Sequence, residues 1–374
     1  MSGRKKSVIS KASPHTIKKF ELIEEYIKSW AQKLLLTESC NGLIFIDCMC
    51  NSGVYTDDAG QLVKGTAVRV SEALREASRT YTEKNIHIYL NDKDKARVDE
   101  LKKHLPQDER NFKIVTSYSD AHELLRTIGP QLYGTGHLHY FLLYDPYDAT
   151  IDWEALLPFF QNWGEVMINH MVSDPVRAIT SAKKKTTKAK YENTYLEDFE
   201  KLVPYGSDKK AYEARVEEII NSLKGARRYY VSAFPFYNTQ NSLVYNLIHC
   251  TSDKEGFKLY KKSAWKVFGA QSSTKHSAEN RQLSFDFFGE ITEEEDESCL
   301  HVIDIAKYLQ RSFRGRKQVS LDEMWELLDN HPIFPSEGFR NEIKSDLTDF
   351  FDAKIEQIVN SETGKKETVI SFSS

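Results

Sequence analysis

"FIDCMCNSGVY", Phe45 to Tyr55, is an apolar run that stops on an acid and then breaks into small residues. It reads as a buried strand ending at Asp47, followed by a turn through Asn51, Ser52 and Gly53. The same alternation continues outward from it. "GLIFIDC", "NIHIYLND", "NFKIVTSY", "HLHYFLLYDP" and "EVMINH" read as strands. Between them, "GTAVRVSEALREA", "KARVDELKKHL", "DAHELLRTI" and "WEALLPFFQNW" carry helical spacing. Strands separated by helices predict a Rossmann-like α/β fold, a doubly wound and mostly parallel sheet. "RRYYVSAFPFYN" and "SLVYNLIHCTS" are parted by only a few residues and predict a terminal antiparallel hairpin.

The rest of the chain divides around this core. Residues 1–13 read as a flexible basic N-terminus, with Ser13 and Pro14 opening a first helix. Its apolar stripe is Phe20, Ile23, Ile27, Trp30 and Leu34. The α/β domain is expected over 14–270, interrupted at about 174–225 by a charged helical insertion containing "SAKKKTTKAK". Residues 271–298 are polar and acidic and read as a linker. Residues 299–374 give three helical patterns and a closing hairpin, the outline of a winged-helix-like domain.

Bulk properties narrow the function classes. A chain of 374 residues with net charge -4 is not a globally basic nucleic-acid coat. Apolar residues at 40% and aromatic residues at 12% suit a large buried core. The five cysteines are irregularly spaced and suit reduced thiols, so a cytoplasmic location is expected. No run reaches the roughly 18 apolar residues of a membrane span, and no membrane partner is expected. Cys48 and Cys50 lack a second Cys or His pair, so no metal site is expected there.

In such sheets, ligands bind beyond the carboxyl ends of the strands, which makes the strand-end acids the candidates. Asp47 can receive a ligand's ammonium group or ribose hydroxyl, and Ser52 and Gly53 let backbone approach it. Asp92, or Asp94 beside it, can accept two hydrogen bonds from a vicinal diol. Asp120 can accept from an adenine amine or simply cap a helix. Asp145, Pro146 and Tyr147 can hold a planar amine between a carboxylate and a ring face. No glycine loop with lysine is present to cradle a triphosphate. Lys183, Lys184, Lys185 and Lys188 offer a basic nucleic-acid contact or a solvated loop.

The order "HTIKKFELIEEYIKSWAQ", "FIDCMCNSGVY", "GTAVRVSEAL", "YLNDKDKARVDEL", "YSDA" and "LLYDPYDATIDWEALLPFFQNWGEVMINH" resembles the three-Cys-motif partner protein (TcmP) family. That family is similar to class I S-adenosylmethionine-dependent methyltransferases. The resemblance covers roughly residues 14 to 180 and continues more faintly beyond. It implies S-adenosylmethionine as cofactor, with Asp47, Asn51, Ser52, Gly53, Asp92 and Asp120 in its pocket and Asp145-Pro146-Tyr147 as the catalytic strand end. It also puts His15 and Lys18 on the family's His-Thr-x-x-Lys pattern. Its name implies a three-Cys-motif partner resembling radical S-adenosylmethionine proteins. Cys48 and Asn51 replace loop glycines of that pattern, and Asp148 replaces the glycine after the aromatic residue.

Two readings follow. The first is a methyltransferase acting on a nucleic-acid base amine, with DNA or RNA as substrate. The second is a non-catalytic nucleic-acid-binding or scaffold protein that keeps the fold for its shape.

Overall fold

In a computed structural model of the chain, described over residues 7–134, 138–160, 164–173, 184–202, 209–223, 229–276, 298–359 and 364–373, Gly42–Asp47 forms strand β2, buried along its whole length. Its side chains alternate between two apolar layers, as the two-residue period of a strand requires. Leu43 and Phe45 join one core, and Ile44 and Ile46 the other. β7 (Leu138–Tyr144) does the same with Phe141 and Leu143 against Tyr140, Leu142 and Tyr144. Full burial of one such aromatic side chain contributes about 1.5–3 kcal/mol.

The main sheet has seven strands in the order β6-β5-β2-β7-β8-β10-β9. β5 (Asn85–Asn91), β6 (Phe112–Ser117) and β8 (Gly164–His170) complete its parallel part. β9 (Tyr230–Tyr237) and β10 (Leu243–Thr251) are the expected hairpin. β10, not β9, pairs with β8, and it does so antiparallel. That order departs from the dinucleotide-binding one, in which the sixth strand follows the fifth.

Helix α1 (Pro14–Leu35) packs on one face with α2 (Thr66–Thr80) and the later helix α9 (Lys254–Phe268). α3 (Lys95–Leu101) and α4 (Ala121–Ile128) connect the first strands. "WEALLPFFQNW" yields only one helical turn, α5 (Trp153–Leu156), then a 3-10 turn over Leu157–Phe159. Pro158 lacks the amide an α-helix would need there. The insertion is helical, with α6 (Lys185–Tyr195), α7 (Phe199–Leu202) and α8 (Lys209–Leu223). Tyr191, Tyr195 and Tyr212 from it fill the second core.

A small sheet escaped the sequence reading. β1 (Ser10–Lys11), β3 (Val54–Thr56) and β4 (Leu62–Lys64) pair beside the strand ends, so the segment expected to be loose to residue 13 is anchored from Ser10.

The C-terminal unit has α10 (Val302–Ser312), β11 (Val319–Ser320), α11 (Leu321–Asn330), α12 (Arg340–Phe351), β12 (Lys354–Val359) and β13 (Lys366–Ser371). Most of the linker expected at 271–298 lies outside the described residues. The C-terminal helices share a core with α9 that includes Trp265, Ile305 and Leu328, and the Trp265 ring lies 6.1 Å from that of Phe334. Lys261 of α9 is fully buried, and its ammonium donates to the carbonyls of Leu328, Asp329 and His331 at 2.8, 3.2 and 2.7 Å. Burial lowers its pKa to about 7, so below that pH it carries a charge that complements the carboxyl end of α11.

His331 beside it is built to stay neutral. Its Nδ1 accepts from the amides of Ile333 and Phe334 at 3.2 and 2.9 Å. Burial, reinforced by the Lys261 charge, pushes its pKa down to about 4. The unfolded chain therefore takes up a proton between about pH 6.5 and 4 that the folded chain refuses. His331 thus makes stability fall as the pH drops through that window. In His331→Asn an amide oxygen can accept the same backbone bonds without titrating. Melting temperatures measured from pH 7 to 4 should fall more steeply for wild type than for this variant. Equal slopes would remove His331 as the cause.

Candidate functional site

The candidate site is a row of acids on the adjacent strands β5, β2 and β7. Asp47 ends β2 with 3% exposure, and its Oδ1 accepts from the Met49 amide at 3.1 Å. Burial pushes its carboxyl up to about 8, and the Asp145 charge adds to that; the Met49 amide and Lys19 pull the other way.

The turn after Asp47 takes left-handed backbone twice, at Asn51 (φ 58°) and Gly53 (φ 70°). Asparagine tolerates that region better than most side chains, so the turn accommodates it. Its amide donates to Asp92 Oδ2 at 3.0 Å, and its own Oδ1 accepts from the Ser52 amide at 2.7 Å. Ser52 is fully buried and donates to the Val54 carbonyl at 2.9 Å. A Cβ at Gly53 would fall 2.3 Å from Leu101 Cδ1, so packing as well as φ demands glycine. Cys48 and Cys50 are buried, with both thiols pushed far up by burial, which makes them packing groups.

Asp92 follows β5 with 1% exposure. Its Oδ1 accepts from the Asp94 amide at 2.9 Å, and its Oδ2 accepts from Asn51 and from the Tyr147 hydroxyl. Asp94, the alternative acid, caps α3 through Ala96. Asp120 caps α4 through the amides of His122 and Glu123 at 3.0 and 3.3 Å. Its side chain is 42% exposed.

Asp145 ends β7. Its Oδ2 lies 2.5 Å from Lys19 Nζ, and its Oδ1 accepts from Asn169 Nδ2 at 2.6 Å. Pro146 beyond it is buried, and Tyr147 is 57% exposed. The sequence paired Tyr147 with Asp145; the contacts its side chain makes are with Asp92 and Arg97. Its hydroxyl donates to Asp92 and accepts from Arg97 Nη1 at 2.6 Å, with the Arg97 guanidinium 5.0 Å from its ring centroid. Asp148 pairs with Lys190 at 2.9 Å and accepts from the Thr150 amide at 2.8 Å. Burial pulls its carboxyl up, but those two partners outweigh it and lower the pKa overall.

Several contributors were missed. Lys19, not Lys18, reaches the site; Lys18 is half-exposed and pairs with Glu21. A signal existed, because Lys19 stands on the stripe of Ile23, Tyr26 and Trp30, where a lysine needs a buried partner. Asn91 ties the ends of β2 and β6 together through Cys48 O and Ser119 O, both at 3.0 Å. Lys183 lies outside the described residues. Lys184 and Lys185 are exposed, and Lys188 sits 4.7 Å over Phe199 and 3.5 Å from Glu200. Among the described residues of the insertion, Lys190 reaches the loop after β7.

A cleft of about 590 Å³ opens beside the row, lined in part by Pro14, His15, Lys18, Asp58, Tyr237 and Phe268. Tyr245 links its wall to Lys19. The Tyr245 hydroxyl donates to His15 O at 3.1 Å, and Lys19 Nζ is 5.2 Å from its ring centroid. Burial lowers the His15 pKa, Lys19 adding to the effect and Asp58 opposing it.

No family model and no curated protein matches the chain, so the resemblance to three-Cys-motif partner proteins rests on the quoted motifs. Among solved structures, one similar chain is described as a caffeoyl-CoA O-methyltransferase from Staphylococcus aureus. It is 11% identical, with 62% of this chain and 83% of that chain covered, at a TM-score of 0.30. A loganic acid methyltransferase with SAH is 11% identical, with 72% of this chain and 87% of that chain covered, at a TM-score of 0.31. Likenesses this distant carry no weight for the site.

The Lys19–Asp145 pair makes a direct prediction. Lys19→Met leaves a carboxylate in a largely dry setting and should cost about 3 kcal/mol, the lower end for buried pairs because Asp145 keeps some solvent. Adding Asp145→Asn should recover much of that loss in urea unfolding. Purely additive losses would show that the two side chains do not interact.

Proposed function

We propose that the protein uses S-adenosylmethionine as a methyl donor at the carboxyl ends of β5, β2 and β7. The observation that carries this reading is the row Asp92, Asp47 and Asp145 around the left-handed Asn51–Gly53 turn, with Lys19 set among the acids. Its donor set fits this cofactor. A buried acid and a buried ammonium side by side complement the two ends of an amino acid, and Asp92 suits a ribose diol. Beside Asp145, the Asn169 Oδ1 is enclosed and has no partner among the described residues. A buried acceptor in that state favours a ligand that brings an N–H. Asp47 and Lys19 would hold the amino-acid end, Asp92 the ribose, and Asp120 the adenine edge. When bound, the cofactor supplies a methyl group already activated on a sulfonium, so the protein's task is alignment and removal of a proton.

A planar amine is the acceptor we favour, from Asp145-Pro146-Tyr147. Each Asp145 oxygen keeps a lone pair beyond those used by Lys19 and Asn169. We read the C-terminal unit as a winged helix that engages a larger nucleic-acid acceptor, a reading supported by its order of helix, strand, two helices and two strands. One observation favours the non-catalytic reading instead: Tyr147 covers Asp92.

Calorimetry with S-adenosylhomocysteine tests this reading. Micromolar binding is expected, and Asp92→Ala should weaken it roughly a hundredfold. Asp47 with its pKa near 8 carries a proton at pH 7, whereas a ligand ammonium prefers the carboxylate. Binding should therefore release protons and tighten as pH rises from 6.5 to 8. Absence of binding at millimolar ligand would sink the proposal.

A further inference from the structure

Tyr147 joins two strand ends that are not neighbours in the sheet. It is 57% exposed on the loop after β7, yet its hydroxyl reaches across to the acid that follows β5. The lone pairs of Asp92 show what that contact does. Oδ1 accepts from Asp94, which leaves one position, and Oδ2 accepts from both Asn51 and Tyr147, which leaves none. A carboxylate in that state can receive one ligand hydroxyl but not a vicinal pair. The Asn51 and Asp94 bonds come from main-chain amides of the turn and of the α3 cap and are fixed by the fold. The Tyr147 bond comes from an exposed side chain and can be exchanged.

We propose that the Tyr147 hydroxyl holds the place of a ribose hydroxyl on Asp92, so that binding of a nucleoside with a free 2′,3′-diol displaces it and frees its ring for the acceptor. This rests on the reading of Asp92 as the ribose acid. Arg97 belongs to the same arrangement. Its Nη1 donates to the tyrosine oxygen at 2.6 Å and lies 3.9 Å from Asp92 Oδ2, so it steadies the phenol while the carboxylate awaits a ligand. Tyr147 thus sets the affinity and the diol preference of the site through competition. It also explains how one residue can serve both ends of the reaction: it rests on the cofactor acid and reaches the acceptor only once the cofactor is seated.

The test is calorimetry on the full chain with S-adenosylhomocysteine, adenosine and 2′,3′-dideoxyadenosine, using wild type, Tyr147→Phe, Tyr147→Ala and Asp92→Ala. Loss of the competing charge-assisted bond should tighten S-adenosylhomocysteine and adenosine about tenfold in both Tyr147 variants. It should leave 2′,3′-dideoxyadenosine unchanged. If S-adenosylhomocysteine binds and Asp92→Ala weakens it, but the Tyr147 variants bind equally or more weakly, the cofactor reading stands and the place-holding role is overturned. If Tyr147→Ala tightens all three ligands alike, the side chain is a steric cover rather than a competitor, and the proposal fails. If no variant binds any of the three, both readings fall together.

Discussion

An ammonium carried by the first helix lies 2.5 Å from the carboxylate that ends β7, in a setting where neither charge could stand alone. Lys19 is 6% exposed. Burying one charge costs several kcal/mol unless a partner and hydrogen bonds offset it. This pair therefore sets α1 against the sheet at one register and fixes the direction of Asp145. The consequences spread from there. Asn169 completes the Asp145 shell, Tyr245 packs under the lysine, and Asp47 is left beside a negative neighbour that helps keep it protonated. Three acids at these strand ends would repel one another; Lys19 beside Asp145, Arg97 near Asp92 and the proton on Asp47 relieve that.

The loop after β2 obeys a second constraint. Its path needs positive φ at residues 51 and 53, and its amides must find acceptors because they are buried. Asn51 meets both demands, since it tolerates the left-handed region and its side chain satisfies the following amide. The backbone amide of the same residue fixes Asp92, so the turn and the second acid form one unit. Asp148, the other departure from the resembled pattern, pairs with Lys190 of the insertion and so ties α6 to the β7 loop.

The sheet was legible in the sequence because its strands are buried on both faces and so are written as unbroken apolar runs such as "GLIFID". The positions of Asp47, Asp92, Asp120 and Asp145 followed from where those runs stop. Partners could not be read the same way. Lys19 meets Asp145 across 126 residues of chain, and no local pattern records that meeting beyond a lysine on an apolar stripe. Tyr147 was placed beside Asp145 by adjacency in sequence, but the loop turns its side chain toward the end of β5, two strands away. The β1-β3-β4 sheet was missed because its strands are only two or three residues long. Such short strands carry no period to detect.

The central claim is that one ligand spans the strand ends from Asp92 to Asp145. A crystal structure of the protein grown with S-adenosylhomocysteine tests it most directly. The account predicts the ribose on Asp92, with the Tyr147 hydroxyl moved away, and the amino-acid end between Asp47 and Lys19. Ligand density in the cleft beside His15, with Asp92 still bonded to Tyr147, would contradict it.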